Sequence, residues 1–130
     1  MRDAVRVVVQ VSDDTFIATA PARVAAVVSR PGRWALWWPD LTLEVTRDRG
    51  VKGVQWRLAG EPGGTAEIYL EPWHDGTIVH LFLRLELPPE EAASQQRDRV
   101  RRWKRTVHAL KDELEGGRAP GAAAQVGEPG

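Results

Sequence analysis

One hairpin constrains this chain more than any other feature. Ala66, Ile68 and Leu70 alternate with Glu67, Tyr69 and Glu71, while Val79, Leu81, Leu83 and Leu85 alternate with His80, Phe82, Arg84 and Glu86. Between the two runs lies His74-Asp75-Gly76-Thr77, and Asp-Gly is a strong signal for a two-residue turn. Centring the turn on Asp75-Gly76 predicts Ile68 opposite Leu83, Leu70 opposite Leu81 and Ala66 opposite Leu85. The other face then pairs Tyr69 with Phe82, Glu67 with Arg84 and Glu71 with His80. Every pair matches in character, so the ribbon has one wholly apolar side. Another element must cover that side.

Three further runs are extended. Val5, Val7, Val9 and Val11 alternate with Arg6 and Gln10, and Thr15, Ile17 and Thr19 continue after Ser12-Asp13-Asp14, where a bend or bulge is expected. Leu41, Leu43 and Val45 form one later run and Val54, Trp56 and Leu58 another. Between the first and second of these runs, residues 22–29 read as a short helix after Pro21, with Val24, Val27 and Val28 on its apolar face, and 33–38 as a second helical turn. The inward sheet face is then Leu41, Leu43, Val45, Val54, Trp56, Leu58, Ala66, Ile68, Leu70, Val79, Leu81, Leu83 and Leu85.

The cover is a long helix. Pro88-Pro89 opens it, Glu90 and Glu91 occupy its first turn, and Gly116-Gly117 ends it. Ala93, Gln96, Val100, Trp103, Val107, Leu110 and Leu114 fall on one stripe. Spanning 89–115, it reaches about 40 Å at 1.5 Å per residue, enough to cross a sheet.

The 130 residues fit one domain. Eighteen Lys and Arg balance eighteen Asp and Glu, so no global field favours nucleic acid or an anionic membrane. There is no Cys, which excludes disulfides and thiolate chemistry. The first dozen residues interleave Arg6 and Gln10 among valines, unlike a signal peptide or a membrane span. The expectation is a cytoplasmic domain over 1–116. Residues 117–130, rich in Gly, Ala and Pro, are expected to form a disordered tail.

The segments Phe16–Val24, with its Ala20-Pro21 junction, and Pro31–Asp40, with Trp34, Trp37 and Trp38 before a proline, carry a likeness. Together with the element order, they resemble the SRPBCC superfamily, the START/Bet v 1-like proteins, in its bacterial polyketide cyclase/dehydrase and lipid-transport branch. The resemblance implies an α+β helix-grip fold, a curved antiparallel sheet wrapped around a long C-terminal helix. It also implies a cavity between them for an apolar or aromatic small molecule. Cavity-lining residues vary in that superfamily, so no catalytic residue carries over. Its members usually have six or seven strands against five runs here, which implies a small cavity unless the first run bends into two.

Six Trp against one Tyr and two Phe mark where such a cavity would lie. Trp34, Trp37, Trp38, Trp56 and Trp103 are candidate walls, with Trp56 and Trp103 foremost because their strand and helix faces point to one interior. Leu58, Ile68, Leu70, Leu81, Leu83 and Val107 complete the ligand-binding set. The plainer alternative is that the tryptophans fill the core of a domain poor in Phe. The row Glu67, Tyr69, Glu71, His80 and Arg84 offers acid–base groups, with His80 oriented by Glu71, but alternation puts it on the solvated face. Asp40 and the Ser12-Asp13-Asp14 segment are the remaining polar groups able to reach a cavity mouth.

Arg97, Arg99, Arg101, Arg102, Lys104 and Arg105 read as the solvent side of the helix rather than a nucleic-acid site. His74, His80 and His108 lack metal-ligand spacing. No cofactor and no metal are expected. The leading function is binding or carriage of a small hydrophobic molecule (lipid, polyketide or aromatic metabolite) by a monomer or homodimer without stable membrane insertion. A polyketide cyclase, aromatase or dehydratase is the enzymatic alternative, and a protein-interaction module with a filled cavity is the third.

Overall fold

The computed structural model describes residues 5–116. Strand β1 (Val7–Ile17) leads into helices α1 (Pro21–Val28) and α2 (Pro31–Trp37). Strands β2 (Thr42–Asp48), β3 (Gly53–Ala59), β4 (Gly63–Trp73) and β5 (Gly76–Leu87) follow, then helix α3 (Pro89–Glu115). The five strands form one sheet in the order β1-β5-β4-β3-β2, every pairing antiparallel. This is the α+β helix-grip arrangement. The expected tail, 117–130, lies outside the described residues.

The β4–β5 hairpin forms, but its register differs by two residues from the expected one. Ile68 pairs with Leu81, Leu70 with Val79 and Ala66 with Leu83, while Tyr69 faces His80, Glu67 faces Phe82 and Glu71 faces Ile78. The turn is His74-Asp75, with His74 at a φ of 51° and Trp73 paired with Gly76. Gly76 serves packing instead of the turn: a Cβ there would sit 2.4 Å from the Ile17 carbonyl oxygen and 2.6 Å from the Phe16 ring. A slip of two keeps each side chain on its expected face.

β1 also departs from expectation, running without a break through Ser12-Asp13-Asp14, in continuous register from Val7 with Leu87 to Ile17 with Thr77. The polar residues are accommodated because they find partners. Thr15 donates to Asp13 at 2.7 Å, Lys104 pairs with Asp13, and Asp14 binds the His80 ring at 2.6 Å. Asp13 thus shares the inner face with Val9, Val11 and Ile17.

The core lies between the concave face and α3. Val54, Trp56, Leu58, Ala66, Ile68, Leu70, Val79, Leu81, Leu83 and Leu85 are buried there as expected. Val45 is not: it is 48% exposed on edge strand β2, beside a bulge between Val45 and Arg47. Leu41 and Leu43 are half-buried.

The stripe on α3 holds from Trp103 through Val107, Leu110 and Leu114, and Gly116 caps the helix in a left-handed conformation at φ 65°. Upstream it rotates. Arg99, not Val100, faces inward, at 3% against 40% exposure, and Ala93 and Gln96 are exposed. Both 99 and 100 lie a turn or less from Trp103, so spacing alone does not choose between them. Arg99 goes inside because a carboxylate meets it there.

Candidate functional site

Five tryptophans converge in the interior. Pro31 starts α2, where its missing N–H costs nothing. The resulting turn sends Trp34 inward, its Nε1 donating to the Val28 carbonyl at 2.7 Å. Trp34 meets Trp56 edge-on with ring centroids 5.0 Å apart, and Trp38 meets Trp56 at 5.7 Å. Trp38 stacks on Trp103 at 5.6 Å with ring planes 9° apart, and the half-buried Trp37 abuts both of those rings. Such pairs are worth about 0.5–1.5 kcal/mol each beyond area burial. Leu58, Ile68, Leu70, Leu81, Leu83 and Val107 belong to the same buried cluster. The sixth tryptophan, Trp73, is half-exposed beside the hairpin turn.

The rings thus pack against one another between the sheet and α3, and their polar atoms are incompletely matched. The buried Nε1 atoms of Trp56 and Trp103 have no hydrogen-bond partner among the described residues, and neither has Nε of Arg99. The neutral Trp103 indole lies near enough to Asp13 to favour its charged form without meeting hydrogen-bond geometry. Burial pushes the Asp13 carboxyl up, but Lys104, Thr15 and Trp103 together outweigh it and hold the group below the usual carboxylate range. All three unmatched groups are donors.

At the C-terminal end of α3 the interior is closed by hydrogen bonds. The Ala18 amide donates to Glu115 Oε2 at 2.8 Å, Thr19 Oγ1 to the Leu114 carbonyl at 2.9 Å, and Thr77 Oγ1 to the Thr19 carbonyl at 2.8 Å. Lys111 Nζ reaches the Phe16 carbonyl at 2.9 Å, and Arg33 grips Glu113 through both guanidinium ends.

At the other end lies a cleft of about 320 Å³, lined by Arg6, Asp40, Glu61, Pro62, Leu87, Pro88, Glu91, Gln95 and Arg99. Arg99 Nη1 and Nη2 donate to the two Asp40 carboxylate oxygens at 3.0 and 2.5 Å. Arg6 pairs with Glu61 at 3.0 Å. Burial pushes the Asp40 carboxyl up, but the bonds and charge of Arg99 outweigh it and lower its pKa. Asp40 is the group that the sequence offers at a cavity mouth, whereas Arg99, which spacing assigns to the solvent-facing basic run, is its buried partner. The available signal was an arginine one turn before Trp103 together with an aspartate closing the Trp-rich segment.

The polar row lies on the opposite, outer face. His80 Nδ1 lies 2.6 Å from Asp14 and Nε2 2.8 Å from Glu71, so the ring bridges β1, β5 and β4. It stacks with Tyr69 at 5.5 Å and Phe82 at 6.3 Å. Burial pulls its pKa down, but the two carboxylates outweigh this and raise it, favouring the imidazolium. Of the basic run, Arg97, Arg101, Lys104 and Arg105 are exposed, and Lys104 reaches across to Asp13. Among the described residues, no helix is long and apolar enough to cross a membrane.

No protein-family model matches this chain, and no curated protein matches it in sequence. Solved structures match it in shape. The Aha1 dimer from Colwellia psychrerythraea aligns at TM-score 0.64 and 19% identity, over 85% of this chain and 99% of that one. A START superfamily protein from Mycobacterium smegmatis aligns at TM-score 0.66 and 12% identity, over 82% and 97%. DynU16, a protein of the dynemicin biosynthetic locus, aligns at TM-score 0.65 and 17% identity, over 84% of this chain and 48% of that one. The order of elements, the helix laid across a concave antiparallel sheet and these shared shapes give this chain the SRPBCC-type, START-like fold.

Proposed function

We propose that this domain binds and carries a small hydrophobic molecule (a lipid, polyketide or aromatic metabolite) between the sheet and α3, against the five tryptophans. The observation that supports this most is the buried Trp56 indole N–H, held within a cluster of aromatic rings without an acceptor among the described residues. A buried donor left unmatched costs about 1–3 kcal/mol, and a ligand bearing an acceptor would recover that. The fold supports the same reading, since a START superfamily protein aligns with it over 82% of this chain. On this reading the domain is cytoplasmic and works as a monomer or homodimer; one structural neighbour is itself a dimer.

Carriage is favoured over the cyclase or dehydratase alternative by the state of the inner carboxylates. Asp13 and Asp40 are each paired with a cation and each has a lowered pKa, which makes them poor proton donors and weak bases near neutrality. His80 faces away from the tryptophans, so His80→Ala should leave ligand affinity nearly unchanged.

The test is intrinsic Trp fluorescence during titration with fatty acids, sterols and polycyclic aromatics, repeated in Trp56→Leu and Trp103→Leu. Saturable quenching or a blue shift at micromolar ligand, weakened in either variant, is expected. A flat titration of the folded wild-type protein across the panel would instead assign the cluster to core packing alone.

A further inference from the structure

Arg99 is the least expected residue of the interior. Its side chain is 3% exposed, and arginines are almost never buried unless paired. The pairing here is incomplete. Asp40 takes the two Nη groups and leaves Nε, itself buried, with no acceptor among the described residues. Arg99 and Asp40 both line the cleft of about 320 Å³, a size at the small end of ligand sites. They also adjoin the tryptophans in sequence: Asp40 closes the segment containing Trp38, and Arg99 precedes Trp103 by one helical turn, with Trp38 and Trp103 stacked on each other. The pair therefore stands where the cleft meets the aromatic cluster.

The charge around it narrows what would bind. Both arginines of the cleft already hold a carboxylate, Arg6 with Glu61 and Arg99 with Asp40, and Glu91 adds a third acid to the lining. A ligand carboxylate would face three acids against two neutralised cations. A cation would find no acceptor on Arg99, whose unmatched, buried Nε–H is a donor. A neutral acceptor satisfies Nε without adding charge.

Resting on the carrier function proposed above, we infer that the cleft is the headgroup site of that ligand, and that Arg99 Nε–H donates to a neutral carbonyl or hydroxyl oxygen while the apolar body lies toward the Trp38–Trp103 stack. The ligand class is thus a ketone, amide or alcohol of an aromatic or lipid skeleton, in preference to the corresponding acid.

Three matched probes test this: naphthalene, 2-acetonaphthone and 2-naphthoate, titrated into the full chain while ¹⁵N–¹H signals of the indoles and of Arg99 Nε are followed. The ketone is expected to bind about tenfold or more tighter than the hydrocarbon, the scale of one hydrogen bond to a charged donor, and tighter than the carboxylate. Its binding should move the Arg99 Nε–H signal. In Arg99→Lys, which keeps a cation opposite Asp40 but lacks Nε–H, the gap between ketone and hydrocarbon should close to within about twofold. The inference is overturned if ketone and hydrocarbon bind the wild type equally, if the carboxylate binds tightest, or if the gap survives in Arg99→Lys. Should that variant fail to fold, an Arg99 Nε–H signal unmoved by bound ketone decides against it. Equal binding of all three probes removes the headgroup site and leaves the carrier reading standing; no binding by any of them also overturns the headgroup site, while the carrier reading is decided by the fatty acid, sterol and polycyclic panel.

Discussion

The two ends of the space beneath α3 are finished in opposite ways. At the C-terminal end, backbone and side-chain donors from the β1–α1 junction and β5 meet acceptors on α3 and on that junction at 2.8–2.9 Å, and Leu110 and Leu114 are buried at the same end of the helix. At the N-terminal end the helix turns an arginine inward, exposes Val100 and borders a cleft. One end has the completeness expected of a structural seal. The other keeps a buried donor unmatched, a cost that native structures bear mainly where something else is to be bound.

The largest test of this contrast is a pair of truncations on one helix. Leu110→Ala removes a side chain 2% exposed and should cost about 2–5 kcal/mol in urea unfolding. Val100→Ala, ten residues earlier on the nominal stripe, should cost no more than about 0.5 kcal/mol, because Val100 is 40% exposed. Equal losses would mean that the upstream half of α3 is not rotated as described.

A smaller test uses acid. Asp40 and Glu113 sit at opposite ends, each bound by an arginine. Asp40 is lowered despite burial, while Glu113 is lowered chiefly by its bonds to Arg33, with burial opposing. A carboxyl with a depressed folded pKa contributes stability above its unfolded pKa and loses it as pH falls through the folded value. Both side chains are nearly half exposed, 49% and 46%, so each share is about 1 kcal/mol or less. Urea midpoints between pH 7 and pH 3 should therefore fall less steeply in Asp40→Asn and in Glu113→Gln than in the wild type. An unchanged slope in one variant would remove that pair from the account.

Much of the fold was legible because it depends on parity. Alternation assigns faces, and faces survive a register shift of two, so Ile68, Leu70, Leu81 and Leu83 were placed correctly although their partners were not. The register was hidden because Gly76 is required by its closeness to Ile17 and Phe16, a tertiary contact between distant segments. The convergence of the five tryptophans was likewise legible from their strand and helix faces. The buried polar groups were not. Ser12-Asp13-Asp14 read as a bend or bulge, since Lys104 and His80, which hold its two carboxylates, lie far along the chain. Arg99 was hidden among other arginines for the same reason: its environment is made by Asp40, 59 positions away.

The strand order has a kinetic consequence. β2 to β5 form a meander of successive antiparallel pairs, whereas β1 pairs with β5 across the whole meander. Adjacent hairpins close in roughly 1–10 μs, but joining β1 to β5 must first close a loop spanning most of the sheet. The chain's earliest strand is thus the last to arrive, and with it arrive the Thr19 and Ala18 contacts to the end of α3. Pulsed hydrogen exchange should show Ile68 and Leu81 amides protected before those of Val9 and Val11; simultaneous protection would remove this order. Until β1 docks, α3 lacks the strand it packs against and Trp103 lacks its neighbour Asp13, so the slow step of folding is also expected to be the one that completes the burial of the helix side of the aromatic cluster.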